Sequence, residues 1–150
     1  MPNASALCTS FKRELLCGIH ALGTTVSRGS TTPDVIKAAL FLSTANIGAG
    51  TTAYSTTGEV TGAGYTAGGV TVTNANQPAT SGNTAYWTPS ASFVFSAVTV
   101  GPTDCVLLYN SSQANRAISA HTFSAQTLVA GTLTLTMPVN AAGTALIQLG

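Results

Sequence analysis

The sequence predicts an all-β protein, a jelly-roll-like β-sandwich of about eight strands carrying a short N-terminal helix arm. Three observations lead there. Short β-branched, aromatic or alternating runs recur through residues 35–150, separated by clusters of Gly, Asn, Pro and Ser. Regular spacing of this kind, without a helical period between strands, is the pattern of a sandwich or barrel. Thr makes up about one residue in six; it is β-branched, and its hydroxyl can face water without charge. Eight strands in two sheets is the jelly-roll count, with an immunoglobulin-like sandwich as the second choice.

The chain divides into an arm and linker, residues 1–34, and a β-sandwich domain, residues 35–150. In the arm, Thr9 or Ser10 can cap a helix. Phe11, Leu15, Ile19 and Leu22 then follow at helical spacing, with Leu16 widening the stripe and Gly23 suited to the end. Gly18 weakens the interior, and Lys12 and Arg13 oppose the dipole in the first turn, partly offset by Glu14. So short a helix needs a surface to lie on, either its own body or a neighbour. Residues 24–34 have no periodicity and many turn formers, and read as a flexible connection.

The strands follow in order. Val35 to Ser43 is the most apolar, Gly69 to Thr73 alternates, and Thr84 to Thr88 is aromatic-rich and stops at Pro89. Ser92 to Val100 puts Phe93, Phe95 and Ala97 on one face. Asp104 to Tyr109 contains Cys105-Val106-Leu107-Leu108, a run suited to burial on both faces. Ala117 to Phe123 sets Ile118, Ala120 and Thr122 against Ser119, His121 and Phe123. Thr132 to Met137 has strict period two, and Thr144 to Leu149 closes the series. Glu59 to Thr66 is an irregular ninth candidate.

Charge limits the function classes. The chain has five basic and four acidic side chains in 150 residues, where a typical domain has about a quarter of its residues charged. A free domain with so few charges tends to associate, so the composition suits a chain that lives inside an assembly. Five scattered cations give no phosphate-tracking surface, which argues against a nucleic-acid partner. The longest apolar run, Ala38 to Leu42, is far below the roughly 18 residues of a spanning helix, so no membrane partner is expected. The start, Met1-Pro2-Asn3-Ala4, lacks a secretory pattern; synthesis and folding in a cytoplasm is the expectation.

Catalytic chemistry finds little purchase. The carboxylates at 14, 34, 59 and 104 form no recognisable pair, and no G-x-S-x-G turn accompanies Ser119 or Ser124 near His121. The expectation is a non-enzyme without cofactor or metal. Cys8, Cys17 and Cys105 are odd in number and lack metal-ligand spacing, so they read as apolar thiols. Gly62-Ala63-Gly64 and Gly68-Gly69 have no following helix or lysine and read as turns and bulges, not a phosphate loop.

Several segments match a known pattern in order: Ser10 to His20, Lys37 to Phe41, Thr51 to Val60 continuing through Gly62 to Gly69, Leu107 to Ala117, Met137-Pro138 and Ala145 to Ile147. The chain thereby resembles a family of small virion proteins of tailed bacteriophages, among which are jelly-roll capsid cement (decoration) proteins. The resemblance implies a non-enzymatic protein on the capsid exterior that bridges major capsid protein subunits and associates with itself. It carries no catalytic residues. Residues 75–100 depart from the pattern, lacking its acidic residues and having Trp87-Thr88-Pro89 instead. A neck, tail or fibre-base component is the first alternative, and a host-glycan-binding sandwich the second. The expected interface residues are Phe11, Lys12, Arg13, Leu15 and Ile19 in the arm, with Tyr54, Tyr65 and Trp87 in the body; Trp87, Tyr54 and Tyr65 could also stack on sugars, although filling a core or interface is the commoner role.

Overall fold

A computed structural model describes residues 3–16, 18–25 and 32–150. Arg28 and most of the expected linker lie outside the described residues, as does Cys17.

The described chain is all-β with one short helix. The elements are β1 (Ala6–Leu7), α1 (Thr9–Leu16), β2 (Ile36–Leu42), β3 (Val70–Thr71), β4 (Ala79–Ser81), β5 (Thr84–Trp87), β6 (Phe93–Asn110), β7 (Arg116–Leu135) and β8 (Ile147–Leu149). They form two antiparallel sheets, ordered β1-β7-β6-β2-β3 and β4-β5-β8. Side chains of both sheets share one apolar core, Trp87 and Ile147 joining Leu40, Leu107 and Ile118.

The strand count is met by a different division of the chain. The segments expected at Ser92 to Val100 and Asp104 to Tyr109 are one strand, β6, and those at Ala117 to Phe123 and Thr132 to Met137 are one strand, β7, ending at Leu135. The Gly101-Pro102 peptide within β6 is cis. Pro and Gly in mid-run signal a break, but here bulges absorb the irregularity: the β6–β7 register shifts repeatedly between Phe95 and Cys105. One bulge corrects the facing of Ala97. With φ of 52°, Ala97 is an inserted residue, so Phe93 and Phe95 face the core while Ala97 is exposed and Val98 and Val100 turn inward; one extra residue flips every side chain after it. The two short strands β1 and β4 have no signal of their own; β1 exists because the long β7 offers it an edge, and β4 as the hairpin partner of β5.

Helix α1 is shorter than its apolar stripe. It stops at Leu16 because Gly18 adopts φ of 66°. The Gly18 N–H bonds the Leu15 carbonyl at 3.0 Å and the Ile19 N–H bonds the Glu14 carbonyl at 3.0 Å, the paired bonds of a Schellman ending. Ile19 and Leu22 therefore lie past the helix, and Gly18, not Gly23, is the terminator. At the other end the Cys8 carbonyl accepts the first helical bond, from the Lys12 N–H, which puts Cys8 rather than Thr9 or Ser10 at the cap position.

The candidate strand at Glu59 to Thr66 is a single bridge, Phe41 to Glu59. It continues along the side of β2 that β3 leaves open: the Leu42 N–H bonds the Gly58 carbonyl at 2.8 Å, and the Val60 N–H bonds the Leu40 carbonyl at 3.1 Å. The following loop needs its glycines. Gly69 has φ of 69°, and a β-carbon there would sit 1.9 Å from the Ala38 carbonyl oxygen. The loop thus lies directly on the β2 backbone, an approach only Gly permits.

Candidate functional site

The nine charges are sorted in space. Residues 60–103 and 117–150 contain none, so β3, β4, β5, β8, nearly all of β7 and the first half of β6 are wholly uncharged. Most of the remaining charges are turned inward. Glu14 and Glu59 are buried, and Asp34, Lys37, Asp104 and Arg116 are half-buried. Among the described residues only Lys12 and Arg13 are fully exposed charges.

Two polar clusters hold the buried carboxylates. Glu59 is 5% exposed and accepts three hydrogen bonds: from Tyr54 Oη to Oε2 at 2.6 Å, and from Tyr65 Oη at 2.8 Å and the Gly68 N–H at 2.7 Å to Oε1. Tyr65 Oη in turn accepts the Leu40 N–H at 3.0 Å, and Tyr109 Oη donates to the Gly68 carbonyl at 2.8 Å. The Tyr54 ring stacks on Tyr109, centroids 4.4 Å apart. Burial, then the bond to Glu59, raises the pKa of both Tyr54 and Tyr65, so both phenols stay protonated as donors. This cluster fastens the loop of residues 54–69 onto β2 and β6.

The second cluster fastens the arm. Glu14, 1% exposed, accepts from Arg116 Nη1 on Oε1 at 2.6 Å and meets His20 Nε2 on Oε2 at 2.8 Å. Asn110 Nδ2 lies 3.0 Å from His20 Nδ1 and donates to Asp34 Oδ2 at 2.7 Å, while Asn110 Oδ1 accepts the Ser112 N–H. That donor pattern makes His20 Nδ1 an acceptor and Nε2–H the donor to Glu14. Asp34 Oδ2 also accepts the Ala21 N–H at 2.8 Å. Burial alone would raise the Glu14 pKa, but the bonds from His20 and Arg116 and the Arg116 charge outweigh it and hold the carboxyl below its usual range.

His121 is a third buried titratable group, its Nε2 2.9 Å from Ser119 Oγ. Burial pushes its imidazole down to about 4. No carboxylate orients the imidazole in that bond, and Ser119 is fully buried, so the pair lacks the third group and the access of a nucleophilic site. Burial also raises the thiols of Cys8 and Cys105, to about 11 and about 12. They are protonated at neutral pH and pack as small apolar groups, as the sequence suggests. Among the described residues no group of three His, Cys, Asp or Glu side chains could hold a metal ion, and no helix is long and apolar enough to cross a membrane.

These shifts predict an acid-labile fold. His121 is neutral when folded and protonated when unfolded between about pH 6.5 and 4, so stability falls as pH drops through that window. Glu14 adds to the loss further down: its contribution is present above the ordinary carboxylate value of 4.5 and disappears as pH falls below it. Melting curves from pH 8 to 3 should show the midpoint declining from about pH 6.5, and His121→Gln should flatten the upper part of the decline. A wild-type midpoint unchanged down to pH 4.5 would contradict this account.

The expected interface residues separate into two groups. Lys12 and Arg13 are exposed, as an interface role requires, and Ile19 is half-buried. Phe11, at 0% exposure, lies in the chain's own core, with Leu15 packed against it. This corrects the reading of Phe11 and Leu15 as an anchor held out to a neighbour: the arm's apolar stripe is spent on its own body. Trp87 is 2% exposed, with its Nε1–H directed at the Asn76 carbonyl 3.3 Å away. Its face offers no platform for a sugar, and the hydroxyls of Tyr54 and Tyr65 are committed to Glu59. Phe11, Leu15 and Trp87 do meet, lining one cleft of about 140 Å³ with His20 and Ile147. Sequence reasoning missed Glu59, His20, Asn110 and Arg116 as structural centres. One signal was available: Glu59 is the sole charge between Lys37 and Asp104, with Tyr54 and Tyr65 on either side.

Comparison with known proteins gives no matching family model, no matching curated protein and no matching solved structure. What fold and site define is an all-β protein of two antiparallel sheets whose buried carboxylates, Glu14 and Glu59, are each held in an internal polar cluster.

Proposed function

We propose that this chain is a non-enzymatic structural protein of a bacteriophage virion, cementing the capsid shell from outside by bridging major capsid protein subunits and associating with itself. The observation that carries the reading is the distribution of charge. A large uncharged β surface of Thr, Ser, Ala and Gln can be covered by other protein without stranding a desolvated ion. Many copies on a symmetric shell convert modest single contacts into large collective stabilisation. The segment-by-segment resemblance to small phage virion proteins supports the same reading. A jelly-roll relationship is part of the proposal and rests on that resemblance together with the two-sheet architecture; the sheets hold five and three strands, with β6 and β7 each spanning two expected strands.

Purified particles of a phage encoding this chain test the proposal. Densitometry should find the chain at a copy number commensurate with the whole shell, and particles lacking it should lose their genome at lower temperature. A copy number matching a single ring would move the chain to the neck or tail. Absence from intact particles would overturn the virion reading altogether.

A further inference from the structure

Strand β7 has an open outer edge. Its inner edge pairs with β6 along its length, but on the outer side β1 covers only Ser119 and Ala120, and Ser5 Oγ takes the Thr122 N–H. From Phe123 to Leu135 no strand among the described residues pairs with that side. Natural sheets blunt such edges with charge, proline or bulges. Residues 123–135 contain no charged residue and no proline. Bulges close part of the edge: the register shifts between Thr103–Gln126 and Val98–Gly131, and Ala130, at φ of 46°, gives its N–H to Thr99 Oγ. From Gly131 to Leu135 the extra residue of the one register shift, between Phe95 and Val98, lies on β6, and β7 pairs Leu133 with Phe95, Thr134 with Val94 and Leu135 with Phe93. In a regular antiparallel ladder every second residue directs its N–H and C=O away from its partner strand, so this stretch presents unused backbone donors and acceptors.

We propose that Gly131–Leu135 pairs antiparallel with the same stretch of a second copy of this chain, across a two-fold axis near Leu133, so that the two five-stranded sheets become one. Self-pairing is favoured over other occupants by the absence of charge. In an isologous contact each side chain meets its own strand's counterpart, so any charge near the axis faces a like charge, which is destabilising. An axis at Leu133 sets Thr132 opposite the second copy's Thr134, and Thr–Thr pairs across strands are favourable. On the other face, Leu133 and Leu135 are only half-buried. Leu135 lines an adjoining cleft of about 250 Å³ with Phe93, Phe123, Met137 and Leu146. A paired copy brings its own Leu133 and Leu135 to that half-covered face.

The proposal deepens the virion reading, resting on it for the self-association that bridging calls for, yet the two fail separately. The test is sedimentation equilibrium on the isolated full chain and on the double variants T132K/T134K and T132E/T134E, with circular dichroism to verify folding. Wild type should dimerise reversibly. Each double variant should keep its spectrum and weaken self-association at least roughly tenfold, and an equimolar mixture of the two should regain wild-type affinity by pairing Lys against Glu. A control pair, Thr80→Lys with Ser81→Lys at two exposed positions of β4, should leave dimerisation unchanged. A monomeric wild type, or folded double variants that dimerise as tightly as wild type, would overturn the proposal. Neither result bears on whether the chain is found in virions.

Discussion

Replacing Phe11 with Ala should destabilise the isolated chain by about 3–5 kcal/mol, the cost of emptying a fully buried aromatic site. Phe11 has no exposed surface. Its ring meets the edge of His20 at 4.8 Å, and it lies in the core cluster that also contains Trp87 and Ile118. Removing it leaves a cavity beneath the arm and loosens the ring that Glu14 and Asn110 hold from either side. Chemical denaturation of the monomer measures the effect. Leu15→Ala, at a half-buried position, should cost less. Unchanged stability in Phe11→Ala would remove the ring from the chain's own core.

Glu59→Ala should cost about 3 kcal/mol, because it strands buried donors at roughly 1–3 kcal/mol each while relieving the desolvation of one buried charge. Tyr54 Oη, Tyr65 Oη and the Gly68 N–H all lose their acceptor. Glu59→Gln should cost less, about 1–2 kcal/mol, since the amide oxygen can serve Tyr65 and Gly68 while the Tyr54 hydroxyl rotates to accept. Tyr54→Phe removes one donor but leaves the carboxylate two others, at about 1 kcal/mol. The order Ala, then Gln, then Tyr54→Phe is the signature of a carboxylate organising its loop. Glu59→Ala within about 0.5 kcal/mol of wild type, the range of an ordinary surface change, would remove Glu59 from that role.

Much of the strand pattern is legible in the residues. Val35 to Ser43, Thr84 to Thr88 and the run Cys105 to Leu108 are strands where apolarity and alternation place them. The period-two stretch from Thr132 to Met137 keeps Thr out and Leu or Met half-buried throughout. Local pattern fails where another element intervenes. Ala117 to Ala120 is buried without alternation, because β1 and α1 pack on the part of β7 that would otherwise face water. Ala97 departs from its expected face because a bulge inserts it, and no residue type announces that. The buried carboxylates were the least legible. Glu14 carries no sign of burial in its own neighbourhood, and Glu59 only its isolation from other charges between two tyrosines; their partners are Arg116 and His20, and Tyr54, Tyr65 and Gly68.

By itself, then, the sequence determined that this protein is built of strands, that its surface is hydroxyl rather than charge, and that its thiols are apolar filling. These are properties of composition and short-range period, which act residue by residue. The tertiary structure alone decided that the arm closes on its own core, that four expected strands are two long ones, that Glu14 and Glu59 are each held in an internal cluster, and that β7 keeps an open edge. Each of these depends on which distant segments meet, and contact between residues a hundred positions apart, as between Glu14 and Arg116, is fixed by the packing of the whole chain rather than by any local pattern.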